Sequence, residues 1–145
     1  MRNSWLIAGG MLSAAAAALH LAVIWGGPDW YRFFGAGEEM ARAAERGSPM
    51  PTLVTSGIAS VLAVWAAYAF AGAGLIPRLP LMRAALVAIS AVYLLRGSVL
   101  FFALVANWGG VAPFVFWSSL IVLVYGVAYA VGTWKAWPML GRAAA

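Results

Sequence analysis

Arg96 stands alone in the apolar stretch AVYLLRGSVLFF (91–102), with no acidic residue within ten positions on either side. A guanidinium stays protonated and presents its N–H donors in a planar fork, so it recognises carboxylate, phosphate or carbonyl oxygen. His20, the only histidine in the chain, can donate, accept or carry a proton. Tyr93, Ser56, Ser60 and Ser118 add hydroxyls that can orient a polar group. The acidic side chains are Asp29, Glu38, Glu39 and Glu45, all in one segment. The chemistry open to this set is binding. Arg96 would hold an anionic or carbonyl group, His20, Tyr93 and the serines would orient it, and Glu38 and Glu39 would belong to a loop covering it.

Other chemistries lack their parts. Cysteine is absent, which removes disulfides, thiol catalysis and Cys-ligated metals. One histidine cannot supply a bis-His haem within a protomer, and no spacing marks a His–Met pair. Metal catalysis fails on the same count. No hydrolase elbow, metalloprotease helix, Walker loop or dinucleotide fingerprint occurs. No catalytic residue, metal ligand or cofactor is therefore assigned. No acid lies inside an apolar segment, which weighs against a carboxylate-based proton pump.

The elements that position these residues follow from composition. Of 145 residues, 65% are hydrophobic and 9% charged, with a mean hydropathy of +0.91. A soluble domain carries about 25% charged residues. So few charges cannot clothe a core in water, and the bilayer must act as solvent. A span needs roughly 20 apolar residues, which leaves room for four. They are expected at about 4–25, 52–76, 83–106 and 112–134. Pro77 and Pro80 break the chain after the second, and Gly109–Gly110 with Pro113 before the fourth. Trp5, Trp25, Trp30, Trp108, Trp134 and Trp137 fall near the ends, as an interfacial belt requires.

The first segment has some marks of a secretory signal: Arg2, an apolar run and SAAAAALH. The run continues through Leu21, Val23 and Trp25, which favours an uncleaved helix. Basic residues set the expected orientation. Arg2, Arg78, Arg83, Lys135 and Arg142 fall on one side, taken as cytoplasmic with both termini. Arg32, Arg42 and Arg46 fall on the other with all the acids. The net charge of +5 thus reads as topology, not nucleic-acid binding. In the periplasmic loop 26–51, the second half reads as a short amphipathic helix. Glu38 and Glu39 suit its positive end, Glu38 and Arg42 sit four apart, and Gly47, Ser48 and Pro49 stop it. The DWYRFF half is aromatic enough for the interface, with Arg32 reaching headgroups. The expected fold is all-α: an integral membrane four-helix bundle, one domain over 1–145, with a short amphipathic helix in the first loop.

Each span carries a small or polar stripe: Gly9, Ser13, Ala16 and His20; Thr52, Ser56 and Ser60 beside Ala59, Ala63, Ala67 and Ala71; Ser90, Tyr93 and Arg96 or Gly97; Ser118, Tyr125, Tyr129 and Gly132. Small residues at this spacing let membrane helices approach closely, and packing is their commonest meaning. His20, Thr55, Ser56, Ser60, Ser118 and Ser119 all fall in the outer half. Arg96 lies about 15 Å from the outer end of its span at 1.5 Å per residue. Exposed to lipid there it would cost at least about 2.5–3.5 kcal/mol, so it should face the protein interior or a wet cavity. Snorkelling outwards is disfavoured because helical side chains tilt towards their N-terminus. Two readings stay open: a clamp on carbonyls and hydroxyls, or a contact to a ligand.

HLAVIWGGPDWYRFFGAGEEMARAAERGSPMPTLVT, with YLLRGSVLF, resembles the small four-helix inner-membrane proteins of unassigned function in bacterial genomes. The resemblance covers most of the chain and implies architecture and a bacterial inner-membrane location. In size and helix number the chain is also similar to the DoxX-like proteins, a likeness that carries over no residue. The expected function is non-enzymatic: binding a membrane lipid or small lipophilic molecule, or serving as an accessory subunit. A membrane enzyme would instead use His20 as acid or base and Arg96 as electrostatic stabiliser. A transporter or channel subunit would form a homo-oligomer through the Ala59–Ala71 face.

Overall fold

The computed structural model describes residues 3–106 and 113–141. Arg2, Trp108, Gly109, Gly110, Ala112 and Arg142, which entered the topology and boundary expectations above, lie outside the described residues. The described secondary structure is entirely helical: α1 Ser4–Gly26, α2 Pro28–Phe33, α3 Glu38–Glu45, α4 Met50–Gly72, α5 Met82–Ala106 and α6 Pro113–Leu140. Four of these are long and apolar enough to cross a membrane. The protein is therefore all-α and multi-pass, with the helix content of a four-helix membrane bundle and two short helices between the first and second spans.

Helix ends follow local chemistry. α4 stops four residues before the expected end at 76. Leu75 N donates to Phe70 O at 2.9 Å and Gly74 N to Ala71 O at 3.0 Å, with Gly74 at φ +76°. This paired C-terminal closure needs a left-handed residue, and glycine adopts it without a Cβ penalty. α6 runs six residues beyond the expected end at 134, through Pro138. At 28 residues it is about 42 Å long, which exceeds a hydrocarbon core of about 30 Å. Its last turns carry Trp134, Lys135 and Trp137, residue types suited to a headgroup region.

The chain forms two compact units, Met1–Leu12 with Trp65–Ala145, and Ser13–Val64. In the first, α5 and α6 pack antiparallel through glycines. A Cβ at Gly97 would lie 2.7 Å from Leu123 Cα, and one at Gly126 would lie 2.9 Å from Leu94 N. Gly132 sits as tightly against Leu6, and Gly9 against the Tyr129 ring. Asn3 ties down the start of α1: its Oδ1 accepts from Leu6 N at 3.3 Å, and its Nδ2 donates to Gly132 O at 2.7 Å. The buried face of α6 repeats in sevens, through Ser119, Gly126, Thr133 and Leu140, with Tyr129 and Ala136 beside it. Of the expected stripe Ser118, Tyr125, Tyr129 and Gly132, Tyr129 and Gly132 are buried, whereas Ser118 and Tyr125 are only half-buried and lie about 100° from the Ser119–Gly126–Thr133 line.

In the second unit Val23, Tyr31 and Ala41 are buried, with Phe34, Met40 and Ala44 packed against them. They join the end of α1 to α2 and α3. Along α4 the buried positions are Pro51, Thr55, Ala59 and Leu62 in this unit and Ala66, Ala69 and Ala71 in the other. Of the expected four-residue row, Ala59 and Ala71 are buried, Ala67 is half-buried and Ala63 is exposed. A strict stride of four drifts about 40° per step around a helix, whereas alternating threes and fours hold one face.

Candidate functional site

Arg96 and Ser119 face each other across the α5–α6 hairpin, and Arg96 Nη1 donates to Ser119 Oγ at 3.1 Å. Ser119 is fully buried, whereas Arg96 is exposed. Among the described residues the guanidinium makes this one hydrogen bond and no ion pair. The expected burial of Arg96 is thus corrected: only the bond to Ser119 reaches the interior. Because Gly97 lies against Leu123, Ser119 is about one turn nearer the hairpin tip than the residue opposite Arg96. The long side chain runs tipwards despite the backward tilt of its Cα–Cβ bond. Arg96 is ten residues from the end of α5, but Ser119 is only six from the start of α6. The charge is accordingly carried from about 15 Å to about 9 Å below the helix ends. Reach overcomes tilt.

Tyr93, one turn before Arg96, is buried at the centre of an aromatic cluster. Its ring centroid lies 4.9 Å from that of Trp65 and 5.4 Å from those of Tyr125 and Tyr129. The Trp65 and Tyr125 contacts are edge-on, the arrangement favoured by ring quadrupoles. Tyr129 OH donates to Trp65 O at 3.0 Å. This cluster packs α5 against α4 and α6 one turn from Arg96.

Ser118 is turned from Ser119 by one residue and points back along its own helix, Oγ to Val115 O at 3.4 Å. Ser60 does the same, donating to Ser56 O at 2.9 Å. Such back-bonds satisfy a hydroxyl where water is scarce, and they leave less capacity for a ligand. His20, half-buried, has Nδ1 2.7 Å from Ala16 O. A carbonyl can only accept, so Nδ1 carries a proton and donates it to Ala16.

The loop acids form a network of their own. Arg32 meets Glu38 with a two-pronged fork, Nε to Oε2 at 2.9 Å and Nη2 to Oε1 at 3.1 Å. It also donates to Glu45 at 2.7 Å and Asp29 at 3.4 Å. Arg42 Nε donates to Glu38 Oε1 at 3.0 Å. The two arginines, Arg32 first, hold the Glu38 carboxyl down at about 2. In turn Glu38, followed by Glu45, raises the affinity of Arg32 for its proton. Arg32 is thus engaged by carboxylates, in place of the expected headgroups. Glu39, in the first turn of α3, is exposed.

No protein-family profile, characterised protein or solved structure matches the chain. Function must be argued from these residues alone. Of the candidates, Arg96, Tyr93 and Ser118 belong to the first unit, and His20, Ser56, Ser60, Glu38 and Glu39 to the second. The residue that joins Arg96 is Ser119. The signal for it was the seven-residue spacing Ser119–Gly126–Thr133, which marks the buried line of α6.

The same unit holds a cavity of about 760 Å³ at its other end, lined by Asn3, Trp5, Gly72, Arg78 and Lys135 among others. Among the described residues no carboxylate lines it. Sequence reasoning assigned Arg78 and Lys135 to topology alone and had no signal for the space between them.

Proposed function

We propose that this is a non-enzymatic protein of the bacterial inner membrane that binds a lipid or small amphipathic molecule through an anionic or carbonyl group on Arg96. The observation that carries the reading is an exposed arginine, about 9 Å below the helix ends, tied by one donor to buried Ser119. A guanidinium has five N–H donors, so four stay available for a ligand. An oxyanion accepting two parallel bonds from the fork would gain both charge and geometry. The unit that carries Arg96, residues 1–12 with 65–145, contains no Asp or Glu at all. Its other cations are Arg2, Arg78, Arg83, Lys135 and Arg142, so a counter-anion from lipid or ligand fits its charge.

The orientation belongs to the same proposal. Both termini are cytoplasmic and the first loop periplasmic, because five of the eight loop and terminal cations lie on the terminal side. The absence of native cysteine makes single-cysteine accessibility a clean check of this topology. Binding is tested by native mass spectrometry with lipid extraction on wild type and Arg96→Leu in parallel. One defined molecule should accompany the wild type and be missing from the folded variant. If both carry only bulk lipid and the variant is merely less stable, Arg96 is a structural clamp and the reading fails.

A further inference from the structure

We infer that the cavity at the opposite end of α6 is a second site, built for the phosphate headgroup of an anionic phospholipid. Lys135 lies 16 residues from Ser119 along α6, about 24 Å, so the two sites serve opposite faces of the bilayer. The cavity, about 760 Å³, falls within the range of about 300–1,000 Å³ typical of small-ligand sites. Two cations, Arg78 and Lys135, line it, and among the described residues no carboxylate does.

The neighbouring cation shows what a spent charge looks like here. Arg83 Nη2 donates to Trp137 O at 3.1 Å, and its guanidinium lies 4.8 Å from the Trp137 ring centroid. It is bound to one of the last carbonyls of α6, which have no helical donor. Lys135 is different. Its ammonium lies 5.5 Å from the Trp5 ring centroid and makes no hydrogen bond among the described residues. A cation–π contact leaves its N–H donors open to an oxyanion.

The rim decides between a lipid and a free anion. Trp5, Ile76 and Met139 line the cavity and are 40%, 41% and 53% exposed. A free phosphate has no use for apolar walls, whereas a phospholipid lays glycerol and acyl carbons along them. Tryptophan at this depth has the amphipathic character of the headgroup region. The site stands independently of the Arg96 reading, since the two share no residue.

The test titrates phosphatidylglycerol and phosphatidylcholine into delipidated protein in detergent, read by native mass spectrometry. It is run on wild type and on an Arg96→Leu background, so that the hairpin site cannot contribute. Two cations worth about 1 kcal/mol each predict a preference for phosphatidylglycerol of about 25-fold. Arg78→Gln with Lys135→Gln should abolish that preference in the Arg96→Leu background. Arg78 and Lys135 are both exposed, so the fold should survive, and circular dichroism checks it. Lys135→Arg should retain the preference. The inference is overturned if the double variant keeps its preference, or if the intact cavity binds both lipids equally. It is also overturned if inorganic phosphate at matched concentration displaces phosphatidylglycerol, which would make this a free-anion site. Failure of Arg96→Leu to lose any ligand would sink the hairpin site and leave this one standing.

Discussion

Gly97→Ala and Gly57→Ala are the same chemical change in two apolar helices, and they should have opposite effects. Replacing a mid-helix glycine with alanine gains about 1 kcal/mol from backbone entropy and propensity. At Gly57 nothing lies within 4 Å of the new Cβ, so that gain should appear whole. At Gly97 the new Cβ would meet Leu123 Cα at 2.7 Å and Leu123 N at 2.8 Å. Those are backbone atoms, so relief requires α5 and α6 to separate by about 0.7 Å to reach ordinary contact. Overpacking of this kind costs about 1–3 kcal/mol, and a backbone clash belongs at the upper end. After the propensity gain, a net loss of about 1–2 kcal/mol remains. The same separation would stretch the Arg96–Ser119 bond from 3.1 Å beyond hydrogen-bond range. Gly97→Ala should therefore lose stability and the Arg96 ligand together, whereas Gly57→Ala should be more stable and keep it. Thermal unfolding in micelles by circular dichroism reads the first effect, and native mass spectrometry the second. Equal stability of the two variants would refute the close packing inferred at Gly97.

The loop network makes a pH prediction. The Glu38 carboxyl is depressed to about 2, so its contribution to loop order is present above its ordinary value of 4.5 and is lost as pH falls through about 2. A spin label on Glu39→Cys, the single cysteine in the chain, should report unchanged mobility from neutral pH to about 4.5 and a rise only towards pH 2. A midpoint at 4.5 would mean that Glu38 is not paired with Arg32 and Arg42. In α6, Thr133 Oγ1 is buried without a hydrogen-bond partner among the described residues. Thr133→Val keeps the shape and removes an unsatisfied hydroxyl, so the melting temperature should rise by about 3 °C for roughly 1 kcal/mol. A drop in melting temperature would show that the hydroxyl is bonded. Finally, Arg96→Lys keeps the charge but not the planar fork. Ligand retention in native mass spectra should fall at least about tenfold if recognition is two-pronged, and should be unchanged if charge alone matters.

How much of this was legible beforehand depends on which forces act locally. Span number and helix α3 were readable because burial in lipid forces every backbone donor into a helix, and because Glu38 and Arg42 meet at i,i+4 whatever else happens. The end of α4 was not. Leu75 and Ile76 are as apolar as the residues before them, and hydropathy cannot see that Gly74 turns left-handed. The true end of α6 was hidden for the opposite reason. A hydrophobicity window stops where the lipid stops, but the helix continues for its own hydrogen bonds, even through Pro138.

The site was half legible, and the division has a physical cause. Arg96 announces itself because a permanent charge in an apolar run is expensive wherever it points. Which serine receives it cannot be read so directly, because Ser118 and Ser119 differ by about 100° of helix rotation and by nothing in chemistry. Only the register of α6 separates them, and that register is set by Gly126 against Leu94 and Gly132 against Leu6, contacts remote in sequence. The carboxylates misled for a related reason. Composition makes them the only acidic partners in the chain for six cations outside their own segment, yet Glu38 has both oxygens taken by Arg32 and Arg42. Short-range pairs close first because they cost little chain entropy. With Asp29, Glu38 and Glu45 paired to arginines of their own segment, cations elsewhere in the chain draw on anions from outside. For Arg96 and Lys135, at the two ends of their unit, the abundant anions outside a membrane protein are those of the lipid.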